Sequence, residues 1–327
     1  MLDTLRGKDV VITGGLGFIG SNLAARLLEL DAHVTIVDSL IPEYGGNLFN
    51  IREIEDRVKV NISDVRDVNS MRWLVKGQDF LFNLAGQTSH FDSMADPFTD
   101  LEINCRAQLS ILETCRHCNP DIKIVFASTR QVYGKPEYLP VDELHRERPV
   151  DANGINKLAG EGYHILYNNV YGIRSCALRL TNTYGPRMRI KDARQTFLGI
   201  WIRRLLENRA FEVWDGSQKR DLTYIDDAVN AILLAAASES ANGQIFNTGG
   251  DGPITLKDLA ELIIEVHGKG AYEIKPFPAD RKTIDIDDYY ADFTRIRSCF
   301  GWEPSVGLRD GVRRTLAYYQ EHLEHYV

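Results

Sequence analysis

The sequence has no long apolar run: nothing in it approaches the ~18–20 consecutive apolar residues that a helix needs to span a bilayer. The N-terminus carries no apolar signal core followed by a small-residue cleavage site. A cytoplasmic protein with no membrane partner is the expectation. Basic runs are lacking too. The 38 Lys and Arg are outnumbered by 46 Asp and Glu, for a net charge of −8, which argues against nucleic acid as a partner. Any bound nucleotide phosphate then needs a few placed arginines. Cysteine is sparse, with Cys105, Cys115, Cys118, Cys176 and Cys299 scattered as free thiols would be in a reducing compartment. Cys115 and Cys118 form a lone C-x-x-C beside His117. No second ligand pair stands at zinc spacing, so no metal is expected and the pair reads as a helix end.

What is present is the pattern of a globular α/β chain. The 327 residues, 44% hydrophobic and 26% charged, suffice for about two domains. Short apolar runs at 8–13, 33–38, 58–62, 80–84, 122–127, 176–180 and 244–247 alternate with helical periodicity, as in Ile19 to Leu30. Strands alternating with helices predict βαβ units and a doubly wound parallel sheet covered on both faces. The regularity fades after about residue 180. We expect a Rossmann-type domain over 1–178, with 222–250 returning to it. A smaller C-terminal α/β domain for substrate is expected over 179–221 and 251–327.

Gly14-Gly15-Leu16-Gly17-Phe18-Ile19-Gly20 follows the first strand and opens a helix. In G-x-x-G-x-x-G the first glycine allows a tight turn, the middle one lets backbone approach a pyrophosphate, and the last lets helix pack on strand. The helix N-terminus adds free N–H groups and a positive dipole end. Asp38 ends the second strand, where a carboxylate accepts from ribose hydroxyls and repels a 2′-phosphate, so NAD is favoured over NADP. Ser63-Asp64-Val65 follows the third strand, at the rim where an adenine sits. The predicted cofactor site is therefore Gly14, Gly17, Phe18, Ile19, Gly20, Asp38, Asp64 and Val65, with Leu84, Ala85 and Lys157 added by the resemblance below.

These motifs, with Asp64-Val65-Arg66-Asp67, Asn83-Leu84-Ala85-Gly86-Gln87, Val132-Tyr133-Gly134 and Lys157, resemble the extended short-chain dehydrogenase/reductase family. Within it the chain is similar to the NAD-dependent nucleotide-sugar epimerases and dehydratases. The likeness continues through Leu178–Pro186, Asp215–Asp227 and Leu308–Val312, and so covers nearly the whole chain. It implies a tightly held NAD that oxidises a sugar hydroxyl and often returns the hydride. It also implies a substrate sugar on a nucleoside diphosphate (UDP, dTDP, GDP or CDP). By position it assigns Asn182 to the sugar diphosphate, with Arg220 and Arg281 pairing with its charges, for which a planar guanidinium suits phosphate oxygens. It further implies a homodimer through the helices of 97–118 and 153–170, with Leu101, Leu109, Ile111, Leu112, Leu158, Ile165 and Leu166 as apolar faces.

The catalytic slots depart from the family pattern. The family's base is Tyr in Tyr-x-x-x-Lys, four residues before Lys on one helix face. Here Lys157 is present but Asn153 stands in the tyrosine slot. A carboxamide orients a hydroxyl or carbonyl by hydrogen bonding and does not act as a conventional general base. Three readings stay open. Another base serves, such as Lys157, a water, Tyr133 or Tyr184. Or catalysis begins from a ketosugar with different groups. Or the protein binds NAD and a sugar nucleotide without turnover. Thr129 matches the Ser or Thr that bonds the reacting oxygen. The next two residues, Arg130 and Gln131, lack the acid that 4,6-dehydration needs, while Arg130 suits a substrate carboxylate, as in a uronic acid nucleotide. The leading expectation is C4 epimerisation through a 4-keto sugar, with Thr129, Asn153 and Lys157 at the catalytic centre. The rivals are a decarboxylase, a dehydratase, a ketosugar reductase and a non-catalytic binding protein.

Overall fold

The computed structural model of the chain describes residues 1–41, 43–194 and 196–327, Asp280 in its backbone alone. In the first strand, β1 (Asp9–Thr13), Val10 and Ile12 join one hydrophobic cluster and Val11 the other. A two-residue period with apolar side chains on both faces belongs to a strand buried between two layers of helices. That is why the apolar runs of this sequence show no polar alternation.

The strands that follow in the main sheet are β2 (His33–Asp38), β3 (Lys59–Ile62), β4 (Phe80–Asn83), β5 (Lys123–Thr129), β6 (Ser175–Leu180) and β7 (Ile245–Asn247). All neighbours pair in parallel, in the order β7-β6-β5-β4-β1-β2-β3. This is a Rossmann-type α/β sheet. The strand order reverses between β1 and β4, so loops leaving their C-terminal ends diverge and open a crevice there. β6 runs two residues beyond the predicted boundary, so Arg179 and Leu180 lie in the sheet.

The helices are α1 (Phe18–Glu29), α2 (Val68–Leu74), α3 (His90–Ala95), α4 (Pro97–Leu101), α5 (Ala107–Cys118), α6 (Ala152–Tyr171), α7 (Phe197–Leu206), α8 (Ile225–Ala237), α9 (Leu256–His267), α10 (Ala279–Lys282), α11 (Thr294–Phe300) and α12 (Leu308–His322). α1 and α8 cover one face of the sheet, and α2, α5 and α6 the other. Strand β7 and helix α8 thus stand in the main sheet layer despite their late place in the sequence. The rest of the C-terminal half is built around two short parallel pairs, Phe211–Trp214 with Tyr272–Lys275 and Leu222–Tyr224 with Asn182–Tyr184.

Among the described residues no helix is long and apolar enough to cross a membrane. α4 runs into α5 through a π-turn, Glu102–Arg106, where the Gln108 amide bonds the Ile103 carbonyl five residues back. Of the residues expected to form a dimer face, Ile111 and Leu112 are completely buried against the sheet and are unavailable to a partner. Leu101 and Leu166 are exposed, as are Phe98, Ile155 and Val170 on the same helices. Cys115 lies in the core, and burial pushes its thiol up to about 12.

Candidate active site

The loops that leave the C-terminal ends of the strands line two cavities. The first, of about 120 Å³, is lined by Gly14, Gly17, Phe18, Ile19 and Gly20, by Asp38, Asp64 and Val65, and by Leu84 and Ala85. Tyr44, Thr88 and Ile103 also line it, which composition and spacing did not reveal. The turn before α1 needs its glycines. Gly14 has φ +69°, and a Cβ at Gly20 would lie 2.3 Å from the Gly14 carbonyl oxygen. No side chain caps α1, so its first N–H groups face the cavity. Asp38 is oriented by N–H groups of Leu16 (3.1 Å) and Leu40 (2.9 Å), while burial raises its carboxyl above the ordinary range. Asp64 is held by Arg66 in a two-point contact of 3.0 and 2.6 Å.

The second cavity, of about 520 Å³, lies between the sheet's loops and the C-terminal half. Arg130, Asn182, Arg220 and Arg281 all line it. Their states differ. The Arg220 guanidinium is tied to Asp285 at 3.3 Å and to Gln218 at 3.2 Å, and burial beside Arg130 brings it down to about 10. Arg281 stacks between Phe91 and Trp214, 4.4 and 4.7 Å from the ring centroids, with no ion-pair partner among the described residues. Arg130 also lacks a carboxylate partner among the described residues. It donates to Asn182 Oδ1 at 2.8 Å and lies 5.4 Å from the Tyr289 ring centroid, and burial lowers it from its ordinary range. Asn182 Nδ2 is buried without a hydrogen-bond partner. Free donors in a walled cavity await an acceptor.

Thr129, Asn153 and Lys157 line neither cavity, although Ala127 lines the first and Arg130 and Gln131 the second. Thr129 Oγ1 accepts the Gln131 N–H at 3.2 Å. The Asn153 amide donates to the Gln87 carbonyl (2.8 Å) and to Asp100 (3.1 Å). Asp100 is a buried acid that composition gave no reason to single out. It also accepts from Asn104 (3.0 Å) and Asn156 (2.8 Å). Lys157 Nζ bonds the Ala127 carbonyl at 3.0 Å, and burial brings it down to about 8 against the pull of Asp100 and Glu161. Tyr133 and Tyr184 are packing residues. Both are buried, their hydroxyls bond Asn247 and the Leu308 carbonyl, and burial raises both far above the neutral range.

A model of the NAD-dependent epimerase/dehydratase family matches residues 10–249. The chain belongs to that family. A putative UDP-glucose 4-epimerase of Methanocaldococcus jannaschii is 33% identical over 94% of this chain and 97% of its own. UDP-glucuronate 4-epimerase 2 of Arabidopsis thaliana is 28% identical over 97% of this chain and 76% of its own. The crystal structure of the Thermus thermophilus UDP-glucose 4-epimerase in complex with NAD superposes with a TM-score of 0.84, at 29% identity, covering 95% of this chain and 99% of that one.

The protein is therefore an enzyme of an NAD-dependent family, and NAD is its cofactor. The first cavity fits a dinucleotide on its own evidence. It has an uncapped helix end, a glycine turn packed so closely on α1 that a Cβ at Gly20 would strike the Gly14 carbonyl, and an oriented carboxylate at the end of β2. At its wall, a Cβ on Gly86 would come within 2.8 Å of the unpartnered Asn104 Oδ1 and 3.0 Å of Lys157 Nζ, so a side chain there would push on both.

Proposed function

We propose that this family member inverts C4 of a nucleoside-diphosphate sugar, and that the sugar carries a carboxylate. The observation that carries the reading is Arg130, a cation in the wall of the large cavity that bonds a neutral amide and makes no direct ion pair among the described residues, although Asp221, Asp285 and Asp151 stand farther off. Leaving a charge in a desolvated site without a partner is costly, and an anionic ligand removes that cost. Arg130 follows Thr129 in the chain and its guanidinium bonds Asn182, so it stands where the sugar and the diphosphate of the ligand would meet. A curated relative that spans the chain acts, by its name, on UDP-glucuronate.

The other roles follow from the free atoms. Arg281 and Asn182 Nδ2 take the diphosphate oxygens, where a stacked guanidinium and an unpartnered amide offer donors at no cost in broken bonds. Arg220, already tied to Asp285, shapes the cavity and contributes less charge. The glycine turn, Asp38, Asp64, Val65, Leu84, Ala85 and Lys157 hold NAD, which when bound accepts a hydride from the sugar carbon and gives it back. Thr129 accepts the Gln131 N–H and keeps its own proton for the reacting sugar oxygen. Asn153 Oδ1 has no partner among the described residues and accepts from a sugar hydroxyl. The unit of 1–178 with 222–250 serves the cofactor, and that of 179–221 with 251–327 the sugar nucleotide.

The exposed Phe98, Leu101, Ile155, Leu166 and Val170 make a face for a second copy, and we read the enzyme as a homodimer. Its unpaired cysteines fit a cytoplasmic setting. The test is NMR product analysis with NAD and a panel of UDP-, dTDP-, GDP- and CDP-sugars, together with competition between UDP-glucuronate and UDP-glucose. A C4 epimer of the uronate, and preference for it in competition, are expected. Equal affinity for the two sugars would remove the carboxylate from the reading, and no product from any sugar would remove the epimerase.

A further inference from the structure

C4 epimerisation needs a group that takes the hydroxyl proton and returns it. Asn153 is not such a group. Tyr133 and Tyr184 are sealed in packing. Lys157 Nζ is committed to the Ala127 carbonyl and, on the reading above, to the cofactor. A side chain that does face the sugar cavity and can both take up and release a proton is the imidazole of His90.

His90 opens α3, three residues after Gln87, on the loop that runs from the cofactor cavity at Gly86 and Thr88 into the sugar cavity. Its Nδ1 lies 2.9 Å from Asp151 Oδ2. The contact is close but bent away from the N–H direction. Catalytic contacts are commonly loose before substrate binds and tighten in the complex. Nε2 has no protein partner among the described residues, and the side chain is 34% exposed, on the cavity wall.

Asp151 is built to hold that imidazole. Its side chain is fully buried. As the N-cap of α6 its Oδ1 accepts the Gly154 N–H at 2.7 Å, and its Oδ2 accepts from Gln131 Nε2 at 2.9 Å. Burial works against ionisation, but the His90 imidazole and these two donors outweigh it and hold the carboxyl below its usual range. Gln131 in turn follows Thr129 and Arg130, so the same short segment that presents a hydroxyl to the sugar also fixes the acid behind His90. Other charged groups on and around α3 include Asp96 at its C-terminal end, Asp100 on α4, Arg130 across the cavity, Arg194 paired with Asp92 at 3.3 Å, and Arg281 stacked on Phe91.

We propose that His90, oriented by Asp151, is the proton acceptor and donor of this enzyme in place of the family's tyrosine. The inference rests on the epimerase reading. Neutral His90 takes the C4 hydroxyl proton on Nε2 as the C4 hydride passes to bound NAD. The imidazolium formed is stabilised by Asp151. After the keto sugar turns over, the hydride returns to the opposite face of C4 and the proton returns from Nε2 to the oxygen. Nothing is gained or lost over the cycle. A carboxylate behind Nδ1, with Nε2 towards the reacting hydroxyl, is the arrangement by which acid–imidazole pairs move protons elsewhere.

The test compares wild-type protein with H90Q, H90A and D151N. H90Q is expected to lower kcat by roughly 10²–10⁴-fold, the span of general acid–base catalysis, while sugar-nucleotide and NAD affinities by calorimetry stay within about threefold. Added imidazole is expected to restore turnover to H90A. The acid limb of the kcat–pH profile should vanish in H90Q. It should move to lower pH in D151N, which keeps the helix cap but loses the charge that favours imidazolium. NMR titration of the His90 imidazole should show the same downward movement. A kcat for H90Q within threefold of wild type overturns the proposal. So does a loss that imidazole does not rescue and that leaves the acid limb in place, since that is a structural effect. If the wild-type enzyme converts no sugar, the epimerase reading has failed instead. The imidazole signal then decides separately, because absence of any shift on adding UDP-glucuronate overturns a His90 contact with substrate.

Discussion

Asn153 donates to Asp100 at 3.1 Å, so the residue in the family's tyrosine slot is tied to a buried acid that also takes the amides of Asn104 and Asn156. The three amides surround one carboxylate, and each is needed to make burial of that charge tolerable. Asn153→Asp would set two carboxylates about 3 Å apart. The introduced carboxyl then has a folded pKa above its unfolded one, so the folded state binds the extra proton. The variant is expected to be near wild type in stability at pH 4 and to lose roughly 3 kcal/mol as pH rises to 7. Thermal unfolding measured across that range checks it, and a pH-independent loss would contradict it.

Lys157 offers the opposite experiment. Burial lowers its ammonium from 10.5 to about 8, so its charge is unfavourable in the folded protein. Below about pH 8 the lysine is charged in both folded and unfolded states and the cost is fully present; it fades as pH rises towards 10.5. Lys157→Met is expected to raise stability by up to roughly 3 kcal/mol at pH 7, less at pH 10, and to lower turnover. Differential scanning calorimetry of the cofactor-free protein reads the first effect and product formation the second.

The sheet was legible in the sequence because each strand is a short apolar run between turn residues. The expected runs at 33–38 and 176–180 differ from β2 and β6 by at most one residue at either end. The glycine turn was legible for the same local reason. The dimer face was misread at Ile111 and Leu112, because helical periodicity finds an apolar stripe without saying which layer covers it. His90 and Asp151 were missed because each is one polar residue among many at a helix start. Their pairing joins segments sixty residues apart, which spacing does not encode. Arg130 drew attention by replacing an expected acid, and Arg220 looked equally free until Asp285 appeared beside it.

The Glu161–Arg179 pair lies under this site, with contacts of 3.0 and 2.6 Å, and both side chains are 1% exposed. The arginine also stacks 4.6 Å from the Tyr133 ring centroid and reaches Glu147. Glu161→Ala leaves the guanidinium with only the half-exposed Glu147. A loss of about 3–5 kcal/mol is expected, as for other buried pairs broken on one side. Glu161→Ala combined with Arg179→Met should lose less than Glu161→Ala alone, because the stranded charge is gone. Urea denaturation of the two variants decides, and a larger loss in the double variant would show that Arg179 stabilises mainly through Tyr133 and Glu147.

Arg130 carries the carboxylate reading, and its replacement separates affinity from fold. Arg130→Met keeps an apolar chain of similar length and removes the guanidinium that lies over the Tyr289 ring, with its charge. Without substrate, the cavity loses a cation that burial disfavours, so the melting temperature is expected to rise or hold. With substrate, KM for UDP-glucuronate should rise by roughly 10–100-fold, the worth of a charge-assisted two-point contact, while KM for UDP-glucose changes little. Arg130→Lys keeps the charge but not the planar fork, and should recover only part of the difference. An equal rise for both sugars would mean that Arg130 meets the part they share, the nucleoside diphosphate, and would move the anion it binds from the sugar to the phosphates.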